Sequence, residues 1–261
     1  MELREVEPTP DKSLIDELGR KKSSFESTKL RIFTDKEKNE YVANREELER
    51  KKQTKVIWEN WSSMTGRFVE ASFETFVYHG EEEDQNEQHR IINELLNLDL
   101  LAEVKSGKNI LFIGPPGTGK DHLLFCLLRT IWEQLRGTKS VKYMNGADFR
   151  YQARKSRCNS EISEEQFIKK FRGKKIFCLS DPAPTGGEPL SASQADVLYH
   201  ALEHRVFEGL PTWMTINLPP GETLLSEATR IFTAPVWERI KHRSITVLCN
   251  WQSYRKPARI L

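Results

Sequence analysis

A continuous apolar run that ends in a glycine-rich loop constrains the fold of this chain more than any other feature. Residues 109–114 read NILFIG, and GPPGTGKD at residues 114–121 matches the pattern GxxxxGK. This motif requires a strand before the loop and a helix after it, and the segment DHLLFCLLRTIWEQLRG at residues 121–137 has the composition of a helix. The sequence therefore predicts a strand–loop–helix unit of the P-loop type.

The residue types in this loop are those that hold a nucleoside triphosphate. Glycines let the backbone turn tightly and bring its N–H groups toward phosphate oxygens, and the following helix directs its positive end at the same phosphates. Lys120 is expected to contact the β- and γ-phosphates. We expect ATP to be bound by the loop and the first helical turn, through Gly114, Pro115, Pro116, Gly117, Thr118, Gly119, Lys120, Asp121 and His122.

A second buried strand, KIFCLS at residues 175–180, looks like a Walker B element with an unusual ending. Four apolar residues normally precede an Asp that holds the magnesium shell and a Glu that orients the attacking water. In one register Ser180 takes the Asp position and Asp181 takes the Glu position. In the other, Asp181 takes the metal position and Pro182 takes the Glu position, where it cannot activate water. One standard group is missing in either register.

The residue after Lys120 is equally unusual, because the motif has Ser or Thr there to bind Mg²⁺, whereas this chain has Asp121. The first Walker B register suggests that Asp121 and Ser180 exchange roles. Magnesium prefers oxygen ligands and often takes one or two carboxylates with phosphates and water. We therefore expect a magnesium site made from Asp121, Ser180 and Asp181, and a weak ATPase activity. The alternative is a site that binds ATP and barely hydrolyses it.

Strand-like and helical segments alternate through the remainder of the chain. The strand-like segments after NILFIG are SVKYMN (140–145), KIFCLS (175–180), TWMTIN (212–217) and ITVLCN (245–250). Five short buried strands separated by helices predict an α/β fold with a five-stranded parallel sheet covered by helices on both faces.

Residues 1–66 differ from the rest of the chain, because they are dense in charged residues and have few strand-like runs. The stretch DKEKNEYVANREELERKKQTKVIWENW predicts a helix with mixed charge on most faces. We expect a mostly helical segment that binds a partner, and a solvated or partly disordered arm is the alternative.

Composition limits the function classes. The formal net charge of +2 is too small to predict nucleic-acid binding by itself, so any basic face must be local. Four cysteines without a CxxC pair give no support to a zinc site and fit a reduced, cytoplasmic location. The N-terminus lacks the apolar core of a signal peptide, and no apolar run approaches the ~18 residues of a membrane span, so we expect no membrane partner.

The segments GPPGTGKDHL, IFCLSDP, PTWMTINLPPGE, VWERIKHR and CNWQSYR, in this order, resemble the DnaC/IstB branch of AAA+ ATPases over about residues 67–256. This branch includes bacterial helicase loaders and ATP-dependent helper proteins of transposases. The resemblance implies a P-loop NTPase domain with an AAA+ core at residues 67–261, without the helical lid of many other AAA+ proteins.

The resemblance also implies roles for individual residues. Asn217 matches the sensor-1 position, and Arg239 matches the arginine finger, which reaches the ATP of a neighbouring subunit and offsets charge on the transferring phosphoryl group. Such a contact is head-to-tail and implies a homo-oligomer. The expected catalytic residues are thus Lys120, Asp181, Asn217 and Arg239. Arg205 is either the basic residue common in the family or part of a surface salt bridge.

The family acts on DNA, so we expect phosphate contacts from the basic run FRYQARKSR, or else a solvated helix face there. The DNA-binding candidates are Arg150, Arg154, Lys155 and Arg157. The favoured function is a replicative helicase loader whose N-terminal segment binds the helicase. The alternatives are a transposition helper that coats DNA and recruits a transposase, and a nucleotide-dependent adaptor with little or no hydrolysis. Whether the DNA is single- or double-stranded stays open.

Overall fold

The computed structural model describes residues 34, 40, 41, 44, 45, 71–135, 141–158, 163–184, 187–219, 221 and 223–255. The chain divides into a unit from Met1 to Lys51 and a unit from Lys52 to Leu261. The described positions between 40 and 45 are helical. The predicted domain boundary at 66/67 and most of the charged N-terminal segment lie outside the described residues.

A five-stranded parallel sheet forms the centre of the second unit, which confirms the predicted fold class. Its strands are β1 (Asn109–Gly114), β2 (Val141–Asn145), β3 (Ile176–Ser180), β4 (Thr212–Asn217) and β5 (Ser244–Leu248). Their order across the sheet is β2-β3-β4-β1-β5, and every neighbouring pair is parallel. The carboxyl ends of all five strands therefore meet at one edge of the sheet, which is where ligands bind in open α/β folds.

Helices connect the strands and cover both faces of the sheet. They are α1 (Glu82–Leu96), α2 (Leu100–Lys105), α3 (Lys120–Gln134), α4 (Gly146–Cys158), α5 (Glu164–Arg172), α6 (Ala192–Phe207), α7 (Leu224–Phe232) and α8 (Ala234–Lys241), with a 3₁₀ turn at Phe73–Thr75. Within the described residues, no helix combines the length and the apolar character that crossing a membrane requires.

Two apolar clusters lie on opposite faces of the sheet. Leu111 and Ile113 of β1 belong to the cluster that α4 to α8 cover, whereas Ile110 and Phe112 belong to the cluster that α1 to α3 cover. Successive strand side chains point to opposite faces, so a strand covered on both sides needs apolar residues at every position. This double burial explains the uninterrupted NILFIG run.

Residues 88–104, QHRIINELLNLDLLAEV, have apolar residues at helical spacing and form parts of two helices rather than one. The first ends at Leu96, and Asp99 then caps the second, because its side chain accepts a hydrogen bond from the N–H of Ala102. Aspartate is a strong N-cap residue, and its local hydrogen bond competes with continuation of the first helix.

Arg205 of α6 is buried, with 1% of its surface exposed. Its guanidinium donates to the carbonyl oxygens of Phe171 (2.7 Å), Lys174 (2.8 Å) and Pro211 (2.5 Å) and to the hydroxyl of Thr212 (2.9 Å). Burial lowers the pKa of Arg205 to about 10. No carboxylate of the described residues pairs with it, so a surface salt bridge is not its role. It instead joins the segments before β3 and β4.

We expect Arg205→Ala to lower the free energy of unfolding by roughly 3 kcal/mol or more, because several buried acceptors lose their donor and a cavity forms. Urea unfolding of the full chain measures this change. Arg129→Ala is the matched control, since its ion pair with Glu133 is exposed and should contribute less than about 1 kcal/mol. Equal losses in the two variants would contradict the structural role of Arg205.

Candidate nucleotide-binding site

The P-loop joins the carboxyl end of β1 to α3, as the sequence predicts. Gly119 is the N-cap of α3 and has φ +87°, and Gly117 has φ +86°. Glycine adopts this left-handed conformation without the steric cost that other residues have. The amino end of α3 therefore faces the loop, where its partial positive charge attracts anions.

The chain packs against this loop so closely that side chains have no room there. A Cβ on Gly114 would lie 2.2 Å from the carbonyl oxygen of Cys249, and a Cβ on Gly117 would lie 2.0 Å from Oγ of Ser253. On the other side, a Cβ on Gly119 would lie 2.9 Å from the ring of Phe76. The glycines thus serve packing as well as backbone conformation.

Hydrogen bonds hold the segment after β5 against the loop. The indole Nε1 of Trp251 donates to the carbonyl oxygen of Thr118 at 2.8 Å. The backbone N–H of Tyr254 donates to the carbonyl oxygen of Gly117 at 2.9 Å. The CNWQSYR segment, which carried part of the family resemblance, is therefore a support of the P-loop.

A cavity of about 840 Å³ opens beside the loop, which is within the usual range for small-molecule sites. Its lining includes most of the predicted loop residues together with Asp181 and Asn217. One part of the wall is aromatic, with Phe76, His79 and Tyr254. The rings of His79 and Tyr254 are 5.4 Å apart in an edge-to-face arrangement. Apolar and aromatic walls of this kind suit a planar base.

Lys120 is buried with only neutral partners. Its Nζ donates to the carbonyl oxygens of Gly114 (2.9 Å) and Pro115 (2.5 Å) and lies 3.4 Å from the hydroxyl of Thr118. Burial is the main cause that lowers the pKa of Lys120. A buried ammonium without a paired anion is costly, so a triphosphate in the cavity would be a strongly favoured partner.

Asp121 is fixed by two hydroxyl groups from neighbouring strands. Ser180 at the end of β3 and Thr215 of β4 each donate to Oδ1 of Asp121 at 2.7 Å. Oδ2 of Asp121 has no hydrogen-bond partner among the described residues. Tyr143 of β2 also lies nearby: burial, and then the charge of Asp121, raises the pKa of its hydroxyl.

Asp181 is the first residue after β3 and is held in an uncommon conformation, with φ +46°. Its N–H donates to the carbonyl oxygen of Thr215 at 2.9 Å, and its Oδ2 accepts from Nδ2 of Asn217 at 2.5 Å. Its Oδ1 is buried and has no partner within the described part of the chain. Burial, and then the nearby charge of Asp121, raises the pKa of Asp181.

These contacts favour the first of the two Walker B registers, because Ser180, and not Asp181, lies against Asp121. Thr215 was missed in the sequence, although a signal existed: it lies two residues before Asn217 on β4 and therefore on the same face. Tyr143 carried no comparable signal, because its strand had no recognised motif.

The oxygen atoms around Asp121 fit magnesium only together with phosphate or water ligands. The described residues contain no group of three or more His, Cys, Asp or Glu side chains arranged to hold a metal ion by themselves. Two carboxylates and one hydroxyl are nevertheless the kind of set that Mg²⁺ shares with a nucleotide. Oδ2 of Asp121, which has no partner among the described residues, is the atom free to bind such a ligand, whereas Oδ1 of Asp181 is unpaired but buried.

The predicted arginine finger lies far from the P-loop of its own subunit. The guanidinium of Arg239 pairs with Glu203 and reaches the hydroxyl of Tyr199 at 3.3 Å. The backbone carbonyl oxygen of Arg239 is 3.4 Å from Nδ2 of Asn109, the first residue of β1. Five residues of strand, roughly 16 Å, separate Asn109 from the P-loop. Arg239 therefore lies near the amino ends of the strands, at the side of the sheet opposite the cavity.

Comparison with known proteins identifies the family. The model of the family described as IstB-like ATP binding protein matches residues 20–261.

The chain belongs to the IstB-like ATP-binding family.

Two curated proteins are similar to this chain. The replicative helicase loader DnaC of Escherichia coli (strain K12) is 28% identical over 148 residues, which are 56% of this chain and 56% of that protein. The ATP-binding protein of insertion sequence IS5376 from Geobacillus stearothermophilus is 28% identical over 167 residues, which are 64% of this chain and 61% of that protein. The IstB-like chain thus spans somewhat more than half the length of these relatives.

Two solved structures share the fold of the IstB-like domain. The crystal structure of the DnaC helicase loader has a TM-score of 0.54 and 21% identity, and the match covers 70% of this chain and 99% of that one. The crystal structure of DnaI has a TM-score of 0.51 and 18% identity, and the match covers 74% and 94%.

The basic residues proposed for DNA binding lie on α4 of the IstB-like domain, but they differ in environment. Arg154 is exposed and Lys155 is half-buried, whereas the side chain of Arg157 lies outside the described part of the structure. Arg150 donates to three backbone carbonyl groups in the segment after β3. Contact of any of these residues with DNA stays a prediction.

We expect Gly114→Ala to reduce ATP affinity at least tenfold, because the new Cβ would push the P-loop away from the backbone of Cys249. Isothermal titration calorimetry of the full chain measures the affinity. Gly173→Ala is the control, since a Cβ there has no atom within 4 Å, and it should bind ATP within about twofold of the wild type. Wild-type affinity in Gly114→Ala would contradict the packing argument.

Proposed function

We propose that this IstB-like protein binds ATP and acts on DNA as a replicative helicase loader. The similarity to the replicative helicase loader DnaC of Escherichia coli carries this proposal. A P-loop beside a cavity of suitable size supports the ATP-dependent part of it. The DNA and the helicase are the proposed partners, and the N-terminal segment is the proposed contact for the helicase.

Two other functions each have an observation in their favour. Similarity to the IS5376 ATP-binding protein favours a transposition helper that coats DNA and recruits a transposase. The residues Asp121 and Ser180 at the Walker positions favour an adaptor that binds ATP with little or no hydrolysis. Strong ATP hydrolysis that disappears in Lys120→Ala would exclude the adaptor.

The P-loop residues would bind the phosphate groups by replacing contacts that they make within the chain. The ammonium of Lys120 would leave the carbonyl oxygens of Gly114 and Pro115 for phosphate oxygens, which also carry compensating charge. The aromatic wall with Phe76 and Tyr254 would hold the base. The bound nucleotide supplies the phosphoryl group whose transfer to water drives the work of such proteins.

The strand ends would hold the metal and the attacking water. Thr215 and Ser180 fix Oδ1 of Asp121, which leaves Oδ2 to face Mg²⁺. Asp181 would accept a proton from water through its unpaired Oδ1, with Asn217 fixing its other oxygen. Burial and the charge of Asp121 raise the pKa of Asp181, and a raised pKa makes a carboxylate a better proton acceptor.

We expect Asp121→Ala to reduce the gain in ATP affinity on adding Mg²⁺ by at least tenfold, while metal-free affinity stays equal or rises. Calorimetry with Mg²⁺ and with a chelator gives both affinities. Lys120→Ala should lose affinity under both conditions, and Glu208→Ala, at an exposed carboxylate after α6, should lose neither. An unchanged magnesium effect in Asp121→Ala would mean that Asp121 and Ser180 have not exchanged roles.

The position of Arg239 supports a head-to-tail homo-oligomer. Because it lies roughly 16 Å along β1 from the P-loop of its own subunit, it would contact ATP bound by the next subunit. A contact of this kind repeats as a closed ring or a helical filament. Arg243, four residues later, is exposed and has no hydrogen bond or ion pair within the described part of the chain, so it is the competing candidate for the same role.

Mass measurement by light scattering, with and without ATP and with either single-stranded or duplex DNA, tests assembly and function together. We expect ATP-dependent oligomers that form best on single-stranded DNA and that Arg239→Ala abolishes, with ATP affinity within about threefold. Formation on duplex DNA instead would favour the transposition helper. Loss in Arg243→Ala alone would move the arginine finger to Arg243, and a constant monomer mass would contradict the oligomer.

A further inference from the structure

The guanidinium of Arg150 is the main polar support of the segment that follows β3. Its Nη1 lies 3.1 Å from the carbonyl oxygen of Asp181, 3.2 Å from that of Pro182 and 2.6 Å from that of Ala183. Arg150 is half-buried, and no carboxylate of the described residues pairs with it. Nη1 of Arg150 is thus directed at one turn of backbone beside the cavity.

This segment has few other means of holding its shape. Pro182 and Pro184 have no N–H group and therefore cannot donate backbone hydrogen bonds. Asp181 has φ +46°, a conformation that is strained in residues other than glycine and persists only when the surroundings impose it. Besides the N–H of Asp181, which donates to Thr215, the carbonyl oxygens are the groups through which the protein can fix this turn, and Arg150 contacts three in succession.

Helix α4 contacts the same turn at a second point. A Cβ on Gly146, the first residue of α4, would lie only 1.8 Å from the carbonyl oxygen of Asp181. The absence of a side chain there lets the start of α4 rest directly on the backbone of Asp181. Arg150, one turn later on the same helix, then reaches over the following residues.

The backbone of the segment after β3 sets the orientation of the Asp181 carboxylate. Asn217 contacts Oδ2 at 2.5 Å, while Oδ1 is buried without a partner. A rotation of the turn would move Oδ1 relative to the P-loop even if the contact with Asn217 remained. The direction of this unpaired oxygen therefore depends on the contacts that α4 makes.

We propose that Arg150 is a positioning residue that fixes Asp181 toward the terminal phosphoryl group, rather than a DNA contact. This inference rests on the proposed function, because it assumes a nucleotide beside the P-loop. It also makes α4, which carries the exposed Arg154, the structural link between the DNA-binding candidates and the carboxylate proposed to accept a proton from water.

The test compares the affinity for ADP with the affinity for ADP plus aluminium fluoride, which imitates the phosphoryl group in transfer, with Mg²⁺ present. In the wild type the fluoride should increase affinity. Arg150→Met should lose at least tenfold of this increase while its affinity for ADP alone stays within about twofold. Arg150→Lys, which keeps the charge and part of the hydrogen bonding, should recover some of the loss. Arg90→Met, at an exposed ion-paired arginine of α1, is the matched control and should behave as the wild type.

Two further measurements separate positioning from general stability. Where turnover is measurable, Arg150→Met should lower kcat at least tenfold and change KM for ATP less than about threefold. Hydrogen exchange in the nucleotide-free chain should become faster in peptides that cover the segment after β3 and stay unchanged across α1. If Arg150→Met does not fold, Arg150→Lys provides the same comparisons.

Several outcomes would overturn the inference. A full fluoride effect in Arg150→Met would show that Arg150 does not position Asp181, and a loss of DNA affinity in that variant would return Arg150 to the DNA contacts. If Arg150→Met lost as much affinity for ADP alone as for ADP with aluminium fluoride, Arg150 would only stabilise the fold. A wild type that binds ADP without any fluoride effect would overturn this inference alone, whereas a wild type without affinity for adenine nucleotides would overturn the proposed function.

Discussion

Two buried hydroxyl groups that donate to one carboxylate oxygen connect the parts of the candidate site. Ser180 and Thr215 tie the first turn of α3 to the ends of β3 and β4 through Oδ1 of Asp121, at 2.7 Å each. In the usual arrangement the residue after the P-loop lysine carries a hydroxyl and β3 carries a carboxylate. In this chain the two groups are exchanged. A carboxylate at both positions would place two negative charges within hydrogen-bonding distance, which raises a pKa and costs stability. The residue types at 121 and 180 are thus compatible with each other, and changing either one alone would break this arrangement.

Much of the fold and the centre of the site follow from local sequence. An apolar run buried on both faces of a sheet gives a recognisable strand, and the glycines of GPPGTGKD have few uses other than a tight phosphate-binding turn. The positions of β1 and the P-loop could therefore be predicted within a residue. The ordered series of motifs added Asp181 and Asn217, which the structure places 2.5 Å apart through their side chains.

Contacts between residues far apart along the chain could not be predicted from the sequence. Arg150 and Arg205 are both arginines in helices with many polar neighbours, a pattern that usually marks a solvated face. Arg150 caps a turn more than thirty residues later, and Arg205 is buried against three carbonyl groups of two segments. Backbone carbonyl groups are present in every segment, so no residue type marks the acceptors. The break between α1 and α2 is a different case, because Asp99 was visible in the sequence but lay inside a continuous amphipathic pattern.

Arg239 lies near the amino ends of the strands and the cavity lies at their carboxyl ends, which gives the subunit a polarity. An assembly in which the Arg239 side of one subunit contacts the cavity side of the next has two chemically different ends unless it closes on itself. One terminal subunit keeps a cavity with no arginine from a neighbour, and the other presents an arginine with no cavity to enter. Addition and loss of subunits at the two ends then have separate rate constants, and a molecule that covers one end stops extension in that direction only.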